Sequence, residues 1–324
     1  MAAALDDLFA SPDHYLHSFE GGAAIFVPMD RPAYHRSIFL DGRISPAVNR
    51  PTRVPVSSLI EAVSPPAPTA WIFHVAHCGS TLLARALDGL TTNLVLREPL
   101  ALRQLALAPD AERLKLVMAM VSKRYRNDLP TVVKANVPVN FLLPELVSFD
   151  AEARAVFLYL GLRDYLLAIL RNDGHREWLR RVTSQLASHI GDLTTKADAE
   201  RAAALWMVQM QAFTRAIQCL PNARTLDAEA FFAEPGGFLK LAAAQLGVPM
   251  TDEDIENTVE GPLFATYSKN PQQQFNNKMR LERRSELEQT LARELEQARD
   301  WVERRGGEQL AIRTVAATAL GLAV

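Results

Sequence analysis

The chain concentrates its chemically capable residues in one short run, His77-Cys78-Gly79-Ser80-Thr81, followed at intervals by Glu98, Lys134 and the pair Arg163-Asp164. Gly79 lets backbone approach an oxyanion closely, and Ser80 and Thr81 add hydroxyl donors. Lys134 can neutralise negative charge that builds on a leaving oxygen, and Glu98 can take a proton. His77 can share the cationic role if protonated, donate a hydrogen bond if neutral, or simply fill the turn. A thiol at a helix start, as at Cys78, can be activated; with no assured histidine–acid arrangement beside it, the favoured reading is a small loop residue lending its backbone N–H.

Such groups need elements to position them. Trp71, Ile72, Phe73 and Val75 read as a buried strand, and Leu82, Leu83, Ala86, Leu87 and Leu90 recur at helical spacing. A strand, a glycine turn and a helix opening on Ser-Thr form a phosphate cradle, where free N–H groups and the helix dipole meet the anion. Short apolar stretches at 93–96, 131–135, 154–160 and 223–226 alternate with helical patterns, which implies β-α-β units. The expected fold class is α/β: a P-loop-type parallel sheet sandwiched by helices, with an N-terminal extension and a helical C-terminal part. Ligands of open parallel sheets bind beyond the carboxyl ends of strands. The loop 77–81, Glu98, Lys134 and Arg163-Asp164 all fall at such ends.

Residues 1–64 read as an extension packed on the main domain, with a strand at 23–27 and a helix capped by Asp30. It serves as scaffold or as a dimer surface, so a homodimer is one expectation. A stiff Pro-rich linker separates it from the main domain, 70–324. Further helices are expected at 109–125, 138–146, 174–190, 198–219, 236–247 and 251–260, a surface loop at 270–277 and one charged helix at 278–304. Trp206 and Met207–Met210 read as helix core.

Composition narrows the function. The 324 residues are 48% hydrophobic with a net charge of −2, enough for a packed core and no support for a nucleic-acid surface or a polybasic membrane patch. Cys78 and Cys219 lack metal-ligand spacing, so no metal is expected. The first residues lack a basic region before an apolar run, and the longest apolar run, 314–324, is shorter than the ~18 residues needed to span. A cytoplasmic protein is expected.

Laid on the nucleotide loop G-x-x-x-x-G-K-[ST], the sequence places His74 at the first Gly and Ser80 at the Lys, which argues against a common ATPase or kinase. Ala76-His-Cys-Gly-Ser-Thr-Leu-Leu83 instead resembles the P-[KR]-S-G-[ST]-T-L-L pattern of the sulfotransferase family, with His77 and Cys78 replacing the basic residue and Ser. The resemblance covers roughly residues 70–250. It implies 3′-phosphoadenosine-5′-phosphosulfate as co-substrate, its 5′-phosphosulfate held by residues 77–81. It further implies Lys134 and His77 beside the bridging oxygen and Glu98 as the acceptor's base; the residues alone read Glu98 equally as a helix-start acid. The family's R-x-P-x-D-x-x-x-S pattern is broken: Leu160 and Ala168 stand where the 3′-phosphate ligands are expected. Arg163, Lys269 and the pair Arg304-Arg305 are candidate replacements, the last reading better as a solvated helix end. The acceptor is a small molecule or peptide, its pocket drawn from about 100–130 and 172–197. Two other readings stay open: a P-loop phosphotransferase on a small metabolite, and a non-catalytic nucleotide- or peptide-binding relative.

Overall fold

The computed structural model describes residues 2–89, 93–307 and 309–321. Leu90, expected on the helix after the loop, and residues 322–324 of the apolar C-terminal run lie outside the described residues.

After a helix at Ala2–Ala10, three strands follow: β1 (His14–Glu20), β2 (Ala23–Pro28) and β3 (Thr52–Pro55) form an antiparallel sheet in the order β1-β2-β3. Only β2 was expected. In β1 the pairing register shifts between Leu16 and Ser18, which breaks the two-residue alternation by which a half-buried strand is recognised. Strand β3 is four residues of mostly exposed chain with no apolar pattern to betray it.

The main sheet is parallel and five-stranded. Strands β4 (Thr69–His74), β5 (Val95–Arg97), β6 (Thr131–Lys134), β7 (Ala155–Tyr159) and β8 (Ala223–Asp227) run in the order β5-β6-β4-β7-β8. Every residue of β4, β5, β6 and β7 is buried. This is why their sequences are continuous apolar runs. Trp71, Phe73 and Phe157 stack across the sheet, with ring centroids 5.6 and 5.1 Å apart, and Phe213 of the helix Asp198–Cys219 meets Phe157 edge-on at 4.9 Å. Burial of each such side chain contributes about 1.5–3 kcal/mol. β4 is central. The chain adds strands first on one side of it and then on the other, so a crevice opens at its carboxyl end.

The helices that matter for the site are α1 (Ser80–Ala86), α2 (Leu100–Leu107), α3 (Leu162–Ile169), α4 (Asp173–Gln185), α5 (Asp198–Cys219) and α6 (Asn277–Thr290). The expected 174–190 helix ends at Gln185 and resumes as a separate turn at Ala187–Ile190, and the expected 278–304 helix divides at Leu291. On α5, Trp206 and Met210 are fully buried, and the Trp206 indole N–H donates to the Leu160 carbonyl just past β7. The expected surface loop at 270–277 is instead largely a hairpin arm, β9 (Thr266–Tyr267) against β10 (Asn270–Gln274), leading into α6. Its Asn/Gln-rich, fully exposed strand shows no alternation to read.

The N-terminal segment is clamped to the sheet edge by Arg97, the last residue of β5. Its buried guanidinium pairs with Asp88 and donates to the carbonyls of Tyr34, His35 and Ser37. Leu40 N–H donates to the Arg97 carbonyl at 2.7 Å.

Candidate active site

Backbone strain marks the site first. His77 (φ 60°) and Glu98 (φ 58°) are the non-glycine residues with positive φ among the described residues. Each such conformation costs about 1–2 kcal/mol and persists only where the surroundings enforce it. Both lie beyond carboxyl ends of sheet strands, His77 after β4 and Glu98 after β5, with β6 between them. Gly79, at φ 82°, begins α1, and a Cβ there would lie 2.6 Å from the Phe232 ring. Glycine is thus required twice, by conformation and by space.

The loop side chains divide clearly. The Cys78 thiol is buried and donates to the Val75 carbonyl at 2.9 Å; burial pushes its pKa up to about 11, so it stays protonated at neutral pH. The His77 ring stacks on His175 at 3.9 Å and meets the edge of Trp178 at 5.2 Å. Burial, then the neighbouring Lys269 and His175, hold His77 well below the usual histidine range, so the ring is neutral and offers a hydrogen bond rather than a charge. His77 Nε2 and Thr81 Oγ1 are buried without partners. A buried polar atom without a partner costs about 1–3 kcal/mol, and a bound oxyanion or hydroxyl would relieve it.

Glu98 and Lys134 meet as an ion pair between the ends of β5 and β6. Lys134 is fully buried, with its ammonium 5.7 Å from the Phe39 ring. Burial works to raise the Glu98 pKa; Lys134 outweighs it and brings the carboxyl down to about 2. Burial lowers Lys134, and Glu98 counters that by favouring its charged form. The register that pairs Arg97 with Lys134 across these strands sets Glu98 one step beyond, and its N–H donates to the Lys134 carbonyl at 2.8 Å.

Two cavities meet here. The first, about 300 Å³, lies under the loop and includes Ser80, Thr81, Glu98 and Lys134 in its wall. Lys269 stands at the tip of the β9–β10 turn and reaches this wall; the tip is tied down by Arg85, which donates to the Ser268 carbonyl at 2.8 Å. Leu160 and Ala168 also line it, so the positions expected to hold a 3′-phosphate are apolar within the site itself. Arg163 is not brought in. It is solvent-exposed and pairs with Glu288 on α6 at 2.8 Å, because the first turn of α3 points it outward. Arg304-Arg305 sit at a helix end, with Arg305 over the Trp301 ring, as a solvated terminus requires.

Sequence reasoning missed the cations that do line this cavity: Arg171, Arg280, Arg283 and Arg284. The last three sit at i, i+3 and i+4 on α6, which places them on one face. The readable signal was that spacing, masked by a helix that looks uniformly charged. Arg280 and Arg284 both pair with Glu229, at 2.6 and 2.7 Å, and Arg284 also pairs with Asp164 at 2.7 Å. Arg283 has no ion-pair partner among the described residues. Arg171 donates to the Tyr267 hydroxyl at 2.9 Å and to His175 Nε2 at 3.1 Å, while its buried Nε has no partner. With Lys134 and Lys269, six cationic side chains face three carboxylates across this cavity. The excess of positive charge suits a multiply anionic ligand.

The second cavity, about 390 Å³, lies on the other side of His77, Glu98 and Lys269, which belong to both walls. It is bordered by Arg103 of α2 and by Trp178, Arg181 and Val182 of α4, within the segments expected to shape an acceptor pocket, and also by Phe39, Asp41 and Arg43 of the N-terminal segment.

Among the described residues no three His, Cys, Asp or Glu side chains cluster as a metal site would require, and no helix is long and apolar enough to cross a membrane.

No family model matches the chain, and no curated protein matches it significantly. Solved structures similar to it include two sulfotransferases. One is a sulfotransferase domain from the curacin biosynthetic pathway, 11% identical with a TM-score of 0.42, over 70% of this chain and 98% of that one. The other is a sulfotransferase from Alicyclobacillus acidocaldarius, 12% identical with a TM-score of 0.40, over 76% of this chain and 99% of that one. Both likenesses are distant.

Proposed function

We propose that this chain transfers a sulfonyl group from 3′-phosphoadenosine-5′-phosphosulfate to a hydroxyl or amine of a small molecule or peptide. The observation that carries the reading is the cationic cavity under Gly79–Thr81, with the orphaned Thr81 hydroxyl and Arg171 Nε in its wall and the Glu98–Lys134 pair at its inner end. Helix α1 has only seven residues, so the grip comes from the loop N–H groups, the two hydroxyls and the arginines more than from a dipole.

In this reading Ser80, Thr81 and the loop backbone hold the 5′-phosphosulfate. The 3′-phosphate goes to Arg283, Arg171 and Lys269, which replace the ligands lost at Leu160 and Ala168. The acceptor approaches from the second cavity. Its oxygen forms a bond to sulfur as the bond from sulfur to the bridging oxygen breaks, and the electron pair of that bond stays on the phosphate. Lys134 and the neutral His77 steady the charge that appears there. The acceptor proton passes to Glu98. A carboxylate with a pKa near 2 is a weak base at rest. Its basicity rises as Lys134 turns its hydrogen bond toward the leaving oxygen, so proton uptake is timed to bond breaking. The two unpaired cysteines agree with a reducing, cytoplasmic setting.

Calorimetric titration with 3′-phosphoadenosine-5′-phosphate, ADP and ATP with magnesium tests the reading. Clear preference for the bisphosphate is expected. Indifference to the 3′-phosphate, or preference for ATP, overturns the donor assignment.

A further inference from the structure

The second cavity has an unbalanced charge of its own. Its two carboxylates are both committed. Asp41 grips Arg43, with Arg43 Nε donating at 2.9 Å, and Arg43 in turn lies 3.8 Å over the Phe39 ring. Glu98 is committed to Lys134. Arg103 and Arg181 have no ion-pair partner among the described residues. Arg103 donates to the Gln185 side chain at 3.2 Å, and Gln185 stands one helical turn beyond Arg181 on α4. Arg103 of α2 and Arg181 of α4 thus both border the cavity, which Lys269 also lines, and the Gln185 contact ties Arg103 to the helix that carries Arg181. Two guanidiniums that border one cavity without a carboxylate partner favour an oxyanion there, which each can meet with forked donors.

The rest of the cavity has a different character. Phe39, Trp178, Val137, Pro138 and Val182 supply apolar walls. Asn136 is 7% exposed and lines the cavity two residues past Lys134, and its amide oxygen has no partner. A buried amide acceptor of this kind calls for a donor on the ligand, such as a hydroxyl or amine N–H.

We infer that the second cavity takes an acceptor with three parts: an oxyanionic group on Arg103 and Arg181, an apolar body against Phe39 and Trp178, and a hydroxyl or amine presented to Asn136 and Glu98. The substrate class is a hydroxy- or amino-bearing acid, not a neutral alcohol or a cationic amine. This deepens the proposed sulfonyl transfer and rests on it for the role of the hydroxyl or amine; the charge selectivity of the cavity stands apart from it.

The test is calorimetry on protein saturated with 3′-phosphoadenosine-5′-phosphate, which occupies the first cavity and leaves the second as the remaining anion site. The probes are 4-hydroxyphenylacetate, its neutral isostere 4-hydroxyphenylacetamide, and the cation tyramine. The acid is expected to bind roughly tenfold or more tightly than the amide, the worth of a charge-assisted hydrogen bond, with tyramine weakest. In the variant R103Q/R181Q the acid and amide should bind alike, with melting temperature and bisphosphate affinity unchanged. The lysine pair R103K/R181K should recover part of the ratio. Equal binding of acid and amide by the unaltered protein overturns the inference. So does a ratio that survives in R103Q/R181Q, or failure of all three probes to bind up to millimolar concentration. If the bisphosphate itself does not bind, the sulfonyl reading falls, and the acid-to-amide ratio measured on the protein alone still judges the cavity.

Discussion

The two walls of the first cavity are built in opposite ways. On the sheet side, Glu98 and Lys134 are fixed by strand register; Lys134 is fully buried and only 17% of the Glu98 side chain reaches solvent. On the α6 side, Arg280, Arg283 and Arg284 stand on a helix with no buried residue; the carboxylates of Glu229 and Asp164 hold Arg280 and Arg284, while Arg283 has no ion-pair partner among the described residues. A group buried in the sheet cannot move without disturbing the core, which suits a role that needs placement to a fraction of an ångström. Arginines on a surface helix can adjust around a charged ligand and contribute affinity more than precision. Under the proposed function, the difference fits chemistry at the first wall and binding at the second.

The comparison breaks most readily at the buried pair. Lys134→Met leaves the Glu98 charge uncompensated, which should destabilise the fold by about 3–5 kcal/mol. Removing both charges with E98Q/K134M should restore most of that stability, because the neutral pair keeps the volume without the charge. Turnover should fall by about 100- to 10,000-fold in each single variant and stay low in the double. Denaturant unfolding and steady-state rates measured on the same samples separate the two effects. If the double variant regains turnover with stability, the pair is structural and both assigned roles are lost.

The α6 wall should respond differently, and less. Arg283→Gln should weaken bisphosphate binding about tenfold, the worth of one charge-assisted hydrogen bond, with no change in melting temperature, since no carboxylate depends on it. Arg284→Gln should lower both, because it strands Asp164 and leaves Glu229 with Arg280 alone. A melting temperature that falls as far for Arg283 as for Arg284 would erase the distinction drawn between them.

The same contrast governs how much the sequence reveals. Glu98, Lys134 and the loop were legible because continuous apolar runs announce buried parallel strands, and the ends of such strands are where ligands sit. The five-stranded sheet followed from the same runs. Lys269 was legible as a lone cation, while the hairpin that carries it was not, since its exposed Asn and Gln residues lack alternation. Arg163 looked favourable from its place after β7; one turn of helix decides whether such a residue faces the cavity or the solvent, and it faces Glu288. The spacing of Arg280, Arg283 and Arg284 puts them on one helix face, but what that face meets was not legible, because they lie more than a hundred residues beyond Glu98 and Lys134. Only tertiary packing of α6 on α3 brings them over the sheet.

The smallest expected effect is on pH dependence, and it sharpens the contrast by isolating the cationic wall. His175 donates from Nδ1 to the Ala168 carbonyl at 2.9 Å and accepts from Arg171 at Nε2, which fixes one neutral tautomer. Burial first, then Arg171 and Lys269, lower its pKa from 6.5 to about 4. Between those values the unfolded chain takes up a proton that the folded protein refuses, so stability falls as pH drops from about 6.5 toward 4 and is flat in this respect above 6.5. The full shift corresponds to roughly 3 kcal/mol, and partial exposure of the ring reduces this to about 1–2 kcal/mol. Glu98 does not confuse the window, because its own loss lies between about 4.5 and 2. Melting curves from pH 7 to 4.5 should therefore be shallower for His175→Asn than for the unaltered protein. A bound bisphosphate favours the protonated ring, so its affinity should rise a few-fold more across the same window in the unaltered protein than in the variant. Equal slopes in both proteins would mean that His175 is not held neutral by this wall.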